Sequence, residues 1–325
     1  MTDVSIIIVA YRGQSKLLKC LESIVAFKGR NFSYQVIIVD NDVCGDPAPD
    51  IEKRFRDFKF IRNKVNGGFA NGNNLGAKSA QGEFLLILNP DTVLREGAIE
   101  RLLKLARANP GYSLISCRQV NREGKETKVT GDFPTILTLT GLQRSLLKIF
   151  SRRKLSEKEE DIVSFHHWIS GSLMLIRKKL FEEHQGFYEG FWMYYEDVDL
   201  CKRVADRGGR IVLARDVTIE HNHGGSSRSD LRTTAVTKTE VRISQHIYIA
   251  RNMNGIIRLT SQTFLVANNL ITGTLMALSG ILLFFLPVAF VRTLIFFRLV
   301  SYYLYALCRR SWISRRSVLN HQQEC

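Results

Sequence analysis

The stretch Leu85-Leu86-Ile87-Leu88-Asn89-Pro90-Asp91-Thr92 decides the fold of this chain. Its consecutive apolar residues, too few for a helix, predict a buried β-strand. Pro90 lacks the N–H group that a central ladder requires, so the strand must end before it. Asp91 therefore lies just past the carboxyl end of the strand, which in an open α/β sheet is the edge where ligands bind.

Asp91 has two interpretations at this position. A carboxylate just past a buried strand can hold a divalent metal on a diphosphate, because hard cations prefer oxygen ligands. Alternatively, Asp91 or Thr92 caps a helix that begins near residues 95–98. The local pattern by itself favours the cap, and the rest of the chain shifts the balance towards the ligand.

The segments before this stretch predict more strands of the same sheet. Runs of β-branched residues at 4–10 and 36–39 predict two buried strands, and a weaker strand is expected at 58–61. Apolar residues at helical spacing lie between the first two runs. Strands that alternate with helices are typical of a doubly wound, mainly parallel α/β sheet. Right-handed crossovers would then bring Tyr11, Asp40 and Asp91 to one crevice.

Residues 66–74, with the sequence NGGFANGNN, form a glycine- and asparagine-rich segment. They precede a helix expected to run through Ala80. The spacing matches neither the dinucleotide fingerprint nor the Walker phosphate loop. Glycines permit close approach of a backbone, and a helix N-terminus offers N–H groups to an anion. Anion binding and an ordinary asparagine-capped loop are equally good interpretations of this segment.

The second half of the chain begins with a polar, basic segment at residues 121–161, which predicts an insertion or mobile loop over the site. Residues 168–177 predict a strand that leads into a helix. The aromatic residues of 187–195 are more typical of a core than of a cofactor site, although they could wall a ring-shaped ligand.

Two further places carry groups that could do chemistry. Glu196 and Asp197 stand directly before a predicted helix, so they either cap it or supply a general base. His221 begins a glycine-rich turn after a predicted strand. Histidines in loops usually lie on the surface, but this one could contact a metal or a phosphate.

The composition limits the kinds of partner. The formal net charge of +15 over 325 residues suggests anionic partners such as acidic lipids or phosphorylated substrates. No zinc-finger spacing or RNA-recognition signature accompanies the charge, so nucleic acid is not expected as a partner. The six cysteines are scattered, which indicates free thiols in a reducing compartment. No signal peptide is expected before the first strand.

The end of the chain changes character after residue 258, where we place a domain boundary. Residues 259–291 carry no charge, and 264–290 are long enough to span a membrane, which takes about 20 residues. A second apolar run at 293–308 contains Arg298. Because arginines flank both sides, a hairpin or an in-plane pair with both ends on the cytoplasmic face fits better than one span. A packed helical hairpin or a homodimer interface is the soluble alternative.

Seven motifs in order resemble those of family 2 inverting glycosyltransferases, especially the bacterial rhamnosyltransferase-like branch. They lie at residues 4–11, 39–41, 66–74, 88–91, 168–171, 196–200 and 221–226. The resemblance covers the chain from Val4 to Asn252, apart from the middle loop. It implies a GT-A fold, a nucleotide-sugar donor and transfer to a glycan or polyprenyl-linked acceptor in cell-surface polysaccharide synthesis. The branch favours rhamnose as the sugar, and the acceptor places the enzyme on the cytoplasmic face of the inner membrane.

The resemblance also implies roles for individual residues. Asp197 would be the catalytic base, with Glu196 as the second choice. Asp91 and His221 would hold a divalent metal, manganese or magnesium. The donor-binding residues would be Ala10, Tyr11, Asp40, Asn41, Asn66, Gly67, Asn74 and Asn89.

Asn89 departs from the family pattern, since an aspartate usually begins this metal motif. That departure motivates a second hypothesis, a catalytically idle nucleotide-sugar binding or scaffold subunit. A third, a nucleotidyltransferase, requires a basic signature near the first strand, where only Arg12 stands.

Overall fold

The computed structural model describes residues 2–26, 31–43, 49–139, 162–222, 230–282 and 287–321. The chain forms two compact units. The first unit comprises Met1–Phe133, Ser156–Tyr188 and Glu196–Ser226, and the second comprises Pro134–Leu155, Glu189–Tyr195 and Ser227–Cys325. Most of the predicted middle loop (residues 140–161) and the turn after Asn222 lie outside the described residues.

The first unit contains the strands of the molecule. In chain order they are β1 (Val4–Ala10), β2 (Tyr34–Asp40), β3 (Lys59–Arg62), β4 (Phe84–Leu88), β5 (Thr92–Val93), β6 (Tyr112–Val120), β7 (Thr130–Gly131), β8 (Val163–Phe165), β9 (Trp168–Ile169), β10 (Leu173–Arg177) and β11 (Arg210–His221). Its helices are α1 (Gln14–Val25), α2 (Pro49–Arg54), α3 (Gly68–Lys78), α4 (Ala98–Ala108), α5 (Lys178–Glu183) and α6 (Glu196–Asp206).

Nine of the described strands form one sheet, in the order β3-β2-β1-β4-β10-β6-β11-β5, with β8 also paired to β11. The pairs β3–β2, β2–β1 and β1–β4 are parallel, as predicted. β10 runs antiparallel to both β4 and β6, so the sheet is mixed rather than wholly parallel. The α/β fold class is confirmed, and the carboxyl ends of β1, β2 and β4 share one edge.

Apolar side chains that alternate along the strands cover both faces of the sheet. Ile6 and Ile8 of β1 belong to a core with α1, α2 and α4, whereas Ile7 belongs to a core with α3, α5 and α6. Helices on both faces explain why β1 and β4 are apolar at nearly every position, since neither face of these strands meets water.

Two local predictions differ from the structure. The helix-cap interpretation of Asp91 and Thr92 is wrong, because Thr92 lies in β5 and α4 begins at Ala98 after Gly97, whose φ is 73°. In addition, α3 already begins at Gly68, inside the glycine-rich segment rather than after it. Gly68 has a φ of 78°, which a residue without Cβ adopts without strain.

The second unit is helical among its described residues. Its helices are α7 (Leu231–Asn252), α8 (Gly255–Leu282), α9 (Pro287–Arg309) and α10 (Val318–His321). α9 packs against both α8 and α7. Residue 258, the expected domain boundary, lies within α8 and not between elements.

In the described part of the chain, one helix, Val288–Arg309, is long and apolar enough to cross a membrane. This is the second of the two predicted apolar runs. The first run, residues 264–290, is divided between α8 and α9, and α8 carries buried polar residues at Ser261, Gln262 and Asn269. Among the described residues, α8 is therefore not a helix that is apolar enough to cross a membrane, although the run in the sequence is long enough.

Candidate active site

An amide network lies at the ends of β1 and β2. Asn41 is buried, its backbone N–H donates to the Ala10 carbonyl at 2.8 Å, and its Nδ2 donates to the Gly68 carbonyl at 2.9 Å. Asn63 Nδ2 donates both to Asn41 Oδ1 at 2.9 Å and to Asn71 Oδ1 at 2.8 Å. The network therefore fixes the start of α3 against the strand ends. The sequence motifs identified Ala10 and Asn41 but missed Asn63.

Tyr11 and Asp40 lie at the same strand ends. Burial raises the pKa of Asp40 above its ordinary value, while a hydrogen bond from the Asp42 N–H opposes that shift. Asp42 pairs with Arg12 at 3.7 Å, and the Arg12 guanidinium lies 5.2 Å from the centre of the Tyr11 ring. This end of the sheet offers a carboxyl group and an aromatic ring, which suits a hydroxyl-bearing ring ligand.

The glycine-rich segment combines close packing with internal hydrogen bonds. Asn66 Oδ1 accepts from the Gly68 N–H at 3.2 Å, and a Cβ added to Gly67 would collide with the Asn71 side chain. Asn74 has a different environment. Its Nδ2 donates to the Phe187 carbonyl at 2.7 Å and its Oδ1 accepts from the Phe187 N–H at 2.9 Å. Asn74 therefore anchors the aromatic segment, and its predicted donor contact stays a prediction.

Asp91 and His221 come together because β5 pairs with β11. Thr92 is the register partner of His221, and the Asn222 N–H donates to the Asp91 carbonyl at 3.1 Å. The pairing places His221 Nε2 at 3.2 Å from Asp91 Oδ1 and at 3.4 Å from Asn89 Nδ2. Three predicted site residues thus form one cluster, although His221 stands 130 positions after Asp91 in the sequence.

A residue that the sequence motifs missed lies behind this cluster. Gln119 is fully buried, and its Oε1 lies 2.7 Å from His221 Nδ1 and accepts from Ser172 Oγ at 2.9 Å. Gln119 is an interior residue of β6, and only the pairing of β6 with β11 brings it to His221. No sequence pattern marks it, since one polar residue in a strand is not a motif.

The Asp91 cluster fits a metal that is shared with a substrate. Among the described residues, no group of three or more histidine, cysteine or acidic side chains could hold a metal alone. Asp91 Oδ1 and His221 Nε2 are two converging ligand atoms. Mg²⁺ sites commonly combine one or two carboxylates with substrate phosphates and water. A divalent cation would therefore need the diphosphate of a donor to complete its coordination.

Asp197 occupies the N-terminus of α6, close to the loop between β9 and β10. Its Oδ2 accepts from the Gly171 N–H at 2.9 Å, and its Oδ1 accepts from the Val198 N–H at 2.8 Å. Burial raises the pKa of Asp197 above the ordinary 3.8, and these N–H groups oppose the rise. The carboxylate is thus held by backbone groups and is a better proton acceptor than an exposed aspartate.

Glu196 and Asp199 differ from Asp197. Burial, and then the charge of Asp197, raise the pKa of Glu196 well above its ordinary value. Its Oε2 is buried without a hydrogen-bond partner among the described residues. Asp199 accepts from Arg203 Nε at 2.9 Å, and Arg203 Nη2 donates to the Gly186 carbonyl at 2.8 Å. The environment of Glu196 therefore favours its protonated form. Asp199 stabilises the turn that precedes the aromatic segment.

The family can now be assigned. The profile described as glycosyl transferase family 2 matches residues 5–185, more than half of the chain. The chain belongs to this family. It is a glycosyltransferase, and its mixed α/β sheet has the architecture of the GT-A fold.

Characterised relatives are similar over about two thirds of the chain. The low-salt glycan biosynthesis hexosyltransferase Agl10 of Haloferax volcanii is 27% identical over 226 residues, which are 68% of each chain. The rhamnosyltransferase WbbL of Escherichia coli is 24% identical over 64% of this chain and 79% of its own. An N-acetylglucosaminyl-diphospho-decaprenol L-rhamnosyltransferase of Mycobacterium tuberculosis is 24% identical over 71% of this chain and 80% of its own.

Solved glycosyltransferase structures share the fold. S. aureus TarS superposes with a TM-score of 0.52 at 15% identity, and the match covers 82% of this chain. GalNAc-T7, crystallised with UDP, GalNAc and Mn²⁺, superposes with a TM-score of 0.54 at 15% identity over 77% of this chain. The matched parts are 42% and 50% of those longer chains, so the likeness is one of fold.

Proposed function

We propose that this family 2 glycosyltransferase is an inverting enzyme that moves a sugar from a nucleotide-sugar donor to a polyprenyl-linked or other glycan acceptor. The reaction would take place at the cytoplasmic face of the cell membrane, in the synthesis of a surface polysaccharide. Rhamnose is the first sugar to test, because two relatives have names that specify rhamnosyl transfer.

One observation carries the proposal. The loop between β9 and β10 contacts both Asp197 and the residue that follows β4. Its Gly171 N–H donates to Asp197 Oδ2, and the carbonyl of its next residue, Ser172, accepts from the Asn89 N–H at 2.9 Å. The base and the end of β4 are thus fixed by two successive residues of one backbone. A displacement reaction requires an acceptor on one side of the sugar and a leaving group on the other, and this shared loop would hold the groups that serve the two in a fixed relation.

Asp197 would act as the general base. In an inverting displacement, one carboxylate removes the proton from the acceptor hydroxyl while the oxygen attacks the anomeric carbon. Glu196 suits this role less well, because burial and the charge of Asp197 favour its protonated form. The N–H groups of Gly171 and Val198 orient the Asp197 carboxylate, and its raised pKa gives it a greater affinity for the proton.

Asp91 and His221 would hold the diphosphate end of the donor through Mn²⁺ or Mg²⁺. A bound divalent cation stabilises the negative charge that develops on a leaving diphosphate. Asn89 would contribute as a neutral amide, which neither repels the diphosphate nor replaces Asp91. Tyr11, Asp40 and Asn41 would line the nucleoside pocket at the other strand ends.

The second unit would bring the enzyme to a lipid-linked acceptor. Exposed apolar side chains are frequent on α8 and α9, among them Ile271, Leu275, Phe297 and Leu304, each more than half exposed. Exposed apolar surface of this extent on a soluble protein indicates an interaction site. A polyprenyl-linked acceptor stays in the bilayer, so attachment to the membrane would reduce the search for it to two dimensions.

The test is a donor screen on the full-length protein, with release of nucleoside diphosphate measured with Mn²⁺, with Mg²⁺ and after metal removal by EDTA. We expect release with one class of nucleotide sugar, loss of turnover in EDTA and loss of turnover in Asp91→Ala. The variant should keep the far-ultraviolet circular dichroism of the wild type, because Asp91 lies past the end of β4.

Two outcomes would contradict the proposal in different ways. Full activity of Asp91→Ala at saturating metal would remove Asp91 from the site. Tight donor binding by the wild type, without release from any donor in the presence of acceptor lipids, would favour the idle binding subunit.

A further inference from the structure

We propose that Gln119 is a positioning residue that sets the tautomer and ring orientation of His221. The inference rests on the proposed function in one respect, namely that His221 offers Nε2 to a metal. It adds a residue that belongs to no motif of the chain. Its evidence is a line of side chains that runs from the interior of the sheet to Asp91.

The interior end of this line determines which nitrogen of His221 carries the proton. Gln119 Oε1 lies 2.7 Å from His221 Nδ1 and accepts from Ser172 Oγ at 2.9 Å. An amide oxygen has only lone pairs, so Nδ1 must carry a hydrogen to bond it. A neutral imidazole with its proton on Nδ1 has its lone pair on Nε2, the nitrogen that faces Asp91.

Two groups face His221 Nε2 at the outer end of the line. Asp91 Oδ1, at 3.2 Å, would accept a hydrogen from Nε2, and a cation bound by both atoms would take the place of that hydrogen. Asn89 Nδ2 lies at 3.4 Å, and an NH₂ group can only donate. It faces a lone pair favourably, whereas it would repel an N–H group. Asn89, which departs from the family pattern, thus supplies a donor in the place where an aspartate would supply another acceptor.

The opposite tautomer would block the site. With its proton on Nε2, His221 would donate to Asp91 Oδ1 at 3.2 Å. Both atoms expected to bind the cation would then be occupied by each other. The contact with Gln119 opposes this internal pairing in the neutral ring, because it favours the proton on Nδ1. A carboxylate or carbonyl that orients a ligating histidine in this way is a common second layer of metal sites.

The amide nitrogen of Gln119 argues that this residue does more than fill space. Its Nε2 is buried and has no hydrogen-bond partner among the described residues. An unsatisfied buried polar group costs about 1–3 kcal/mol. An apolar residue of similar size would avoid this cost but would lose the contacts of Oε1 with Ser172 and His221, so these contacts and not packing account for a glutamine at this position.

The first arm of the test reads the tautomer directly. Full-length protein labelled with ¹⁵N-histidine is studied without metal by two-bond ¹H–¹⁵N correlation, with His221→Gln used to assign the signal. We expect the wild-type His221 to carry its proton on Nδ1. Gln119→Leu and the more flexible Gln119→Met should move the proton to Nε2, and two variants guard against one that fails to fold.

Ser116→Ala is the matched control. Ser116 lies on the same strand and is fully buried, and its Oγ donates to the Leu173 carbonyl at 2.7 Å and makes no contact with His221. The control should leave the His221 signals unchanged. A wild-type His221 with its proton on Nε2, or the same Nδ1 tautomer in both Gln119 variants, would overturn the inference.

The second arm measures Mn²⁺ binding by electron paramagnetic resonance in the presence of UDP or dTDP. Loss of a residue that orients a ligating histidine lowers metal affinity by about 10- to 100-fold. We expect that loss in the Gln119 variants and wild-type affinity in Ser116→Ala. Equal affinity in all the proteins would overturn the inference. A wild type that binds no Mn²⁺ with either nucleotide would instead contradict the proposed metal dependence, and the tautomer would then decide the role of Gln119.

Discussion

The two units of this chain place their polar and apolar side chains in opposite ways. In the first unit, strands such as β1 and β4 are apolar on both faces, and the polar groups gather at the strand ends. In the second unit, polar side chains are buried between the helices, while large apolar side chains lie exposed on α8 and α9.

The interior of the second unit contains a continuous hydrogen-bonded network. His246 on α7 lies 2.5 Å from Gln262 Oε1 through Nδ1 and 3.0 Å from the Tyr303 hydroxyl through Nε2. Asn269 Nδ2 donates to the same hydroxyl at 2.9 Å. Burial lowers the pKa of His246 to about 4, so the ring is neutral near pH 7.

This contrast indicates different surroundings for the two units. A helix in water buries its apolar stripe and exposes polar residues. Helices in lipid join through polar side chains and expose apolar ones, because lipid tails are as apolar as leucine. We infer that the first unit works in water, where a nucleotide sugar is dissolved, and that α8 and α9 face lipid.

The largest expected effect concerns the chemistry of the first unit. Asp197→Asn should lower kcat by about 100- to 10,000-fold, the usual cost of losing a general base. Donor binding, measured by calorimetry, should stay within about twofold, because the amide keeps the shape of the carboxylate. The acidic limb of the wild-type kcat/KM profile should lie above pH 3.8, the ordinary aspartate pKa, because burial raises the pKa of Asp197.

Glu196→Gln is the matched control for this prediction. Since burial favours the protonated, neutral form of Glu196, its amide should keep most of the wild-type activity. If Glu196→Gln lost activity while Asp197→Asn kept it, the role of base would pass to Glu196.

The sequence predicted the first unit better than the second, for a physical reason. Strand runs such as residues 85–88 are short and sharply ended, and the residues that follow them share an edge through the topology of the sheet. The partners Gln119 and Asn63 were missed, because their importance arises from β6–β11 pairing and from the packing of α3. In the second unit, an uncharged stretch predicted a segment long enough to span a membrane, arranged as a hairpin or an in-plane pair with the run that follows it. The buried polar side chains of α8 lie within that stretch, and their spacing alone does not reveal that they bond across helices.

The second prediction tests the apolar face of the second unit. Ile271 and Leu275 are 62% and 64% exposed. Changing both to serine should weaken partitioning into vesicles of anionic phospholipid by at least about tenfold, because burying one such side chain contributes about 1.5–3 kcal/mol and serine adds no charge. Cosedimentation with vesicles measures this.

Val65→Ser, at an exposed apolar position of the first unit, is the control and should leave partitioning unchanged. Equal partitioning of all three proteins would contradict the lipid-facing assignment. If the wild type formed a concentration-dependent dimer and the double variant were a monomer, the apolar face would instead bind a second copy of the chain.

The third prediction concerns the buried carboxyl group of Glu240 on α7. Burial raises its pKa from 4.5 to about 7, opposed by a hydrogen bond from Ser314 and by the charge of Arg316. The folded state thus favours the protonated form, so this contribution to stability is complete below pH 4.5 and is lost as the pH rises through about 7. Glu240→Gln should match the wild-type Tm near pH 4.5 and exceed it at pH 8, by the equivalent of about 3 kcal/mol.

Thermal unfolding of both proteins in the same detergent, from pH 4.5 to 8, measures this difference. Glu96→Gln, which changes an exposed glutamate of the first unit, is the control and should show no such pH-dependent gain. A constant difference between Glu240→Gln and the wild type at every pH would mean that Glu240 ionises as an ordinary carboxyl group.

The smallest expected effect separates charge from apolar contact on the second unit. Arg258 and Arg310 are exposed and stand at the ends of the apolar helical segments. A basic residue near an anionic bilayer contributes about 1 kcal/mol, and salt screens this attraction within about 10 Å at 0.1 M. Arg258→Gln combined with Arg310→Gln should therefore weaken binding to anionic vesicles by about 10- to 30-fold at low salt. The difference from the wild type should shrink at 0.5 M salt and vanish on neutral vesicles.

The matched pair Arg95→Gln and Arg122→Gln removes the same charge from exposed positions of the first unit and should have a smaller effect. If the two pairs weakened binding equally, attraction to the membrane would follow from net charge alone, and the opposite polarity of the two units would not orient the enzyme.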